Sequence, residues 1–389
     1  MKSSEDVIRV HSDPTSLDTM AWNGLLARQT RPTPFMRLEY LAALHCSRSA
    51  VPETGWTPRF VSVYRGDELV AAAPAYSKRH SYGEYVFDWA WADAYQRHGL
   101  RYYPKLLVAV PFTPVPGTRL MATDERARDN LLLGIAQLAR LEKVSSVHLL
   151  FPDETEQPAI DRIGWMSRQG VQFHWTQDPQ APAADFSSFL ASLQREKRKK
   201  IQQERRRVAE AGIEFKAFEG RHISSELWDF FYVCYESTYQ AHRSTPYLTR
   251  EFFAAMAEQM PEHWVMFIAH REQAPVAASL VAIDRAQGAA YGRYWGCTEH
   301  VPLLHFEACY YQPLQWCIEQ GLKRFEGGAQ GEHKMARGLL PIATRSAHWL
   351  AHPQFARAVQ DFLEQEGAGM AEYVDELREH SPFKATQPG

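Results

Sequence analysis

The sequence predicts a mixed α/β fold built from one domain duplicated in tandem, on three observations. Residues 60–73 (FVSVYRGDELVAAA) and 266–279 (MFIAHREQAPVAAS) are each an apolar strand, a polar turn and a second strand that opens Val-Ala-Ala, at Val70 and Val276. The run Tyr82-Gly83-Glu84-Tyr85 recurs as Tyr291-Gly292-Arg293-Tyr294, at nearly the same offset, 82 to 291 against 60 to 266. In each half an amphipathic stretch and a short apolar run follow. Alternating apolar residues broken by a short turn mark a hairpin. Strands that then alternate with helices mark a mixed sheet.

Element by element, the first half reads as the hairpin at 60–73, a long strand about Tyr82–Tyr85, a helix over Asn130–Lys143 and a strand in VSSVHLLF. Leu131, Ile135, Leu138 and Leu141 give that helix one apolar face. The second half reads as the hairpin at 266–279, a strand over Tyr291–Cys297, a helix over Phe306–Gln320 and a strand in LKRFEGG. Tyr310, Leu314 and Ile318 share one face of its helix. Between the halves, Gln177–Ala184 (QDPQAPAA) reads as a linker. A single helix of about 26 residues is expected from Asp185 to Glu210, with Gly212 at its C-cap. It carries eight Lys/Arg against four Asp/Glu. The expected domains are 1–176, 177–212 (linker and basic helix) and 213–389, the last carrying the active site. The chain from His352 is expected to be helical through Leu363 and again over Met370–Leu377.

Composition bounds the function. Of 389 residues, 45% are hydrophobic and 23% charged, which is the profile of a folded globular protein. A net charge of −3 does not fit a protein that binds nucleic acid over its whole surface. The longest apolar runs, such as Leu106–Val110, are far short of the ~20 residues that span a bilayer. The N-terminus MKSSEDVIRVHSD lacks the apolar stretch of a signal peptide, so a cytoplasmic protein is expected. Its five cysteines, an odd number with no C-x-x-C pair, are expected to be reduced thiols.

Reactive side chains concentrate between Tyr291 and His348, in YGRYWG (291–296), LLHFEACYYQ (303–312) and FEGGAQGEHKMARG (325–338). Arg293, in a strand between Tyr and Trp, needs an anionic partner if buried: Glu307, Glu326 or a ligand carboxylate or phosphate. His305 and Glu307 fall at a helix start, where free N–H groups and the dipole favour an anion or oxyanion. A histidine there suits proton abstraction from an amine. Glycines interleaved with Gln330, Glu332, His333, Lys334 and Arg337 describe a loop that lets a ligand approach the backbone. In it Glu332 or His333 would act as general base, with His305 as the rival, while Lys334 and Arg337 hold an anionic group. Tyr291 and Tyr294 would orient or reprotonate the leaving group, and Trp295 joins them in lining the site. A metal site from His305, Glu307 and Cys309 is not expected, since i and i+2 on a helix share no face. No serine elbow or protease-type cysteine is present, so direct group transfer is the simplest chemistry.

YGRYWG, LLHFEACYY and EGGAQGEHKMARGLLP, with the basic run, PYLTREFF (246–253) and the closing SPF (381–383), resemble a predicted N-acyltransferase family. That family is described as peptidoglycan biosynthesis/recognition; it is similar to the FemAB-type transferases and belongs to the GNAT superfamily. The resemblance covers nearly the whole chain. It implies tandem GNAT-like domains and transfer of an acyl or aminoacyl group to an amine, such as that of a peptidoglycan precursor, amino acid or peptide. Acyl-CoA or aminoacyl-tRNA would be the co-substrate, with no permanently bound cofactor; tRNA would then be a partner through the basic helix. The GNAT pyrophosphate signature R/Q-x-x-G-x-G/A is absent, since Leu303–Tyr310 contains no glycine. The rival expectations are a non-catalytic module that recognises the precursor or tRNA, and an RNA-binding protein using the basic helix.

Overall fold

The structure, a computed structural model, describes residues 5–329 and 331–384. Packing divides the chain into two compact units. The first holds the residues up to Gly170 together with Ala343–Glu372, and the second holds Val171–Ile342 together with the residues from Tyr373. The division departs from domains at 1–176 and 213–389 in three places, the first being that residues 171–176 belong to the second unit. The basic helix belongs to the body of the second unit, and 343–372 belong to the first.

In the second unit, Ile213–Glu219, Trp264–Arg271, Ala274–Asp284 and Ala289–Cys297 form an antiparallel run. Ala289–Cys297 then pairs in parallel with Arg324–Glu326, whose other edge takes residues 174–176 antiparallel. Parallel neighbours need a crossover, and the helical segment from Leu304 to Glu319 supplies it. Its apolar face (Tyr310, Leu314, Ile318) closes a core with Phe267, Ile283 and Phe325. Each such side chain, fully buried, contributes roughly 1.5–3 kcal/mol.

The first unit repeats the order. Phe60–Arg65 and Glu68–Ala73 form the expected hairpin, and Lys105–Val108 runs parallel to Ser146–Leu150 after the crossover helix Glu125–Leu141. Asp124 caps that helix, accepting from Ala127 N at 2.8 Å. Residues 346–350 complete the edge antiparallel. Each unit therefore takes one edge strand from the other half of the sequence.

Four expectations are corrected. The long strand about Tyr82–Tyr85 is a loop, and Lys105–Val108 occupies that place in the repeat; the inward turns of Glu84 and Asp88 onto Lys105 rule out strand alternation. Leu141 is exposed rather than part of the apolar face. The 26-residue helix is two, Phe186–Ser192 and Arg195–Glu210. It breaks because Leu193 turns extended, fully buried, to bridge Phe383, while Gln194 N donates to Pro382 O at 2.8 Å. The two C-terminal helices are one, Pro353–Glu379, since Gly367 and Gly369 sit in open space where a helix tolerates them.

Candidate active site

The strand Ala289–Cys297 is the pivot of the second unit. Its parallel partner ends at Glu326, paired with Tyr291, while the strand itself runs on to Cys297. Beyond that point the two strands part. On its other edge the register slips: Leu280 faces Tyr294 and Val281 faces Gly292, so Arg293 is the extra residue of a β-bulge. Bulges re-aim side chains, and here four successive residues, Gly292–Trp295, line the gap.

The gap is a cleft of about 130 Å³, lined also by Ser279, Leu280, Val281, His305, Cys309, Tyr310, Gly327 and Gly328. None of these lining residues is acidic. Gly328, at φ +88, and Gly327 keep one wall low: a Cβ at Gly327 would meet Leu339 at 2.5 Å. Gly296 admits the helix Ser225–Ala241, because a Cβ there would lie 1.7 Å from the Cys234 carbonyl oxygen.

The crossover helix opens at the cleft after Leu303, held left-handed at φ +69. It opens on Leu304–Phe306, passes through a π-helical turn, Glu307–Tyr311, and continues as Gln312–Glu319. A π-turn frees a carbonyl from the regular ladder, and Ser279 Oγ donates to Ala308 O at 2.5 Å. The turn also brings His305, Cys309 and Tyr310 to the cleft together. His305 packs with its ring centroid 4.8 Å from that of Trp295 and 5.6 Å from that of Tyr310. Burial, with His333, Arg337 and Lys334 adding to it, pushes its pKa down to about 4, so the ring is neutral at pH 7.

The loop Glu332–Arg337 is a helical turn beside the cleft. Lys334 is buried, and its Nζ donates to Gly328 O at 3.0 Å. Burial lowers its pKa to about 8, with Cys309 opposing. His333 Nε2 lies 3.2 Å from Tyr310 Oη, which connects this loop to the cleft. Burial and the nearby cations lower the His333 pKa as well.

The remaining expected residues divide between the cleft and its surroundings. Glu332 is exposed and accepts a hydrogen bond from Tyr373 rather than lining the cleft. Arg337 is buried, pairs with Glu204 at 3.0 Å, donates to His333 O at 2.6 Å and stacks on Phe306 at 3.5 Å. Glu307 is buried against Arg205 at 3.0 Å and accepts from Gln312 at 2.7 Å. Neither Glu307 nor Arg337 faces the cleft. Tyr291 is buried where the strands part. Tyr294 and Trp295 line the cleft; the Tyr294 hydroxyl accepts from Arg293 Nη2 at 3.0 Å, so the Arg293 guanidinium sits within the site rather than on Glu307. Gln330 lies outside the described residues. Sequence reasoning missed Tyr310 and Cys309 as lining residues, since apolar spacing assigns Tyr310 to the core. It also missed the roles of Glu204 and Arg205, which pair with Arg337 and Glu307 from a helix whose net charge is positive.

No curated protein matches the chain. Among solved structures, FemX aligns at 11% identity and TM-score 0.55, over 92% of this chain and 100% of that one. L-PGS from Bacillus licheniformis aligns at 11% and 0.56, over 91% and 99%. A tandem GNAT protein from the clavulanic acid biosynthesis pathway aligns at 12% and 0.46, over 90% and 99%. At such identities the likeness is one of fold. The profile of one family, peptidoglycan biosynthesis/recognition, matches residues 13–385. The chain belongs to this FemAB-like family and shares its fold with FemX.

Proposed function

We propose that the protein is an N-acyltransferase that moves an acyl or aminoacyl group onto an amine at the cleft of the second unit. One observation carries the reading. Where two parallel strands part, a neutral histidine (His305) and a tyrosine backed by a histidine (Tyr310 on His333) line a cleft without a lining carboxylate, and a buried lysine (Lys334) lies behind its wall at Gly328.

In this reading the acceptor amine attacks the donor carbonyl carbon. A C–N bond forms, and the C–O or C–S bond to the leaving group breaks. His305, uncharged at neutral pH, takes the amine proton. Lys334 and backbone N–H groups of the parted strand offset the charge growing on the carbonyl oxygen. Tyr310 protonates the departing oxygen or sulfur and is reprotonated through His333. Arg293, stacked on the Tyr294 ring at 4.9 Å, holds an anionic part of donor or acceptor. Arg337 and Glu307 are positioning residues, and Glu332 lies apart from the reaction.

Thermal melting with acetyl-CoA, longer acyl-CoAs and aminoacyl-tRNA in parallel tests the donor. A ligand at about 100 times its Kd stabilises by about 2.7 kcal/mol. A shift with one donor class identifies it, and loss of turnover in His305→Asn with binding intact supports the base assignment. Binding without turnover under every donor would leave a recognition module instead.

A further inference from the structure

In the first unit, the loop and helix between Ala75–Lys78 and Lys105–Val108 contribute no residue to the lining of the cleft described above. Their side chains sort by burial. Ser81, Glu84 and Asp88 turn inward. Lys105 Nζ donates to Ser81 Oγ at 2.8 Å, to Glu84 Oε2 at 2.7 Å and to Asp88, which also accepts from Tyr102 at 2.6 Å. Lys78 lies 3.5 Å from the Trp56 ring centroid and donates to Tyr82 O at 3.1 Å. Both lysines and both carboxylates are buried.

The residues between them turn outward. Tyr82, Tyr85, Phe87 and Trp89 are 58%, 36%, 53% and 41% exposed. Among the described residues only one other aromatic, Phe362, is comparably exposed. Tyr82 and Trp89 pack together at 5.1 Å, and Trp89 shares a cavity of about 450 Å³ with Leu100, Arg101, Tyr102 and Tyr103. Tyr85 is held at φ +63, a conformation that costs a non-glycine residue free energy.

An apolar loop facing water has no burial to hold it, and here buried ion pairs do so. Taking Lys105 and its carboxylate partners out of water is costly, and apolar packing often serves stability as well. Stability alone therefore does not account for the arrangement, whereas presentation of the aromatics does. Contiguous exposed aromatics mark an interaction surface. Tyr and Trp, with an apolar ring and a polar tip, suit the boundary between water and hydrocarbon. Within residues 79–101 the exposed Arg79, Arg97 and Arg101 outnumber the one exposed carboxylate, Asp93, which pairs with Arg97 at 3.1 Å, so the outward charge of this segment is positive. We propose that this loop docks on the surface of an anionic lipid bilayer, Phe87 and Trp89 entering the headgroup region and the arginines meeting lipid phosphates. The proposal stands independently of the transferase reading.

The test is co-sedimentation of the full chain with vesicles of phosphatidylcholine alone, and of phosphatidylcholine and phosphatidylglycerol in equal parts. The protein should pellet with the mixed vesicles, less with phosphatidylcholine alone, and the difference should shrink as salt rises. Phe87→Ser and Trp89→Ser should each weaken binding by about tenfold. Arg97→Gln with Arg101→Gln should weaken it on mixed vesicles only. Circular dichroism and melting of these surface variants should match the parent. No pelleting with either vesicle, or pelleting unchanged in Phe87→Ser/Trp89→Ser, overturns the proposal. A concentration-dependent dimer abolished by the same double variant assigns the patch to a second copy and overturns it as well.

Discussion

At the scale of single residues, the cleft separates groups that the sequence presents as equivalent. His305 and Lys334 are both ionisable, but burial lowers both pKa values, to about 4 and about 8, leaving one neutral and the other charged at pH 7. Turnover that needs neutral His305 and cationic Lys334 should fall on the alkaline side as Lys334 loses its proton near pH 8. A kcat/KM–pH profile checks this, and Lys334→Met should remove that limb along with most of the activity. His305→Asn should lower kcat by about 10²–10⁴, the usual range for a general base. Glu332→Gln should turn over at close to the parent rate, because Glu332 is exposed and engaged with Tyr373; a large loss would return the base to that loop. These residues were legible as a dense cluster of ionisable groups. Which of them meet was not, since the answer depends on a π-turn and a β-bulge that leave no periodic signal.

At the scale of elements, the basic helix Arg195–Glu210 has two faces. Glu204 reaches Arg337 and Tyr311, and Arg205 reaches Glu307, so the helix holds both the loop and the π-turn that frame the cleft. Glu204→Ala would leave Arg337 buried without its carboxylate, and breaking such a pair costs roughly 3–5 kcal/mol. Chemical denaturation should show that loss, and Arg337 charge removal in the same background should recover part of it. Gly296→Ala should destabilise by at least about 1–3 kcal/mol, since the added methyl collides with the Cys234 backbone rather than with a movable side chain. Hairpins, crossover helices and the closing strands of both repeats were readable because alternation and helical spacing are local. The break at Leu193 was not, because its cause is Phe383, 190 residues away by number.

At the scale of the whole molecule, the first unit keeps two histidines neutral in its interior. His148 and His348 face each other with Nδ1 atoms 2.7 Å apart, and Ser146 and Ser346 lie within hydrogen-bonding distance of their Nε2 atoms. Burial lowers the His148 pKa to about 3 and takes His348 well below its ordinary value. Both are neutral when folded, and the unfolded chain takes up the protons first. Their contribution to stability is complete above pH 6.5 and is lost as pH falls toward 3, by about 1.4 kcal/mol per pH unit for each histidine. Urea midpoints measured between pH 7 and 5 should fall accordingly, and replacing both histidines with a neutral pair should flatten the slope.

By itself, the sequence determined that the chain is a duplicated mixed α/β protein, where each repeat begins, and which stretch of the second repeat concentrates the chemistry. Those are properties of local periodicity and composition. Tertiary structure alone decided which strand follows the first hairpin, that each unit completes its sheet with a strand from the other half of the sequence, and that His305 lines the cleft with Lys334 behind its wall at Gly328 while Glu332 turns away to Tyr373. Those outcomes depend on where strands part, how a π-turn rotates a helix and which buried charges find partners. Each is settled by contacts between residues far apart in the chain.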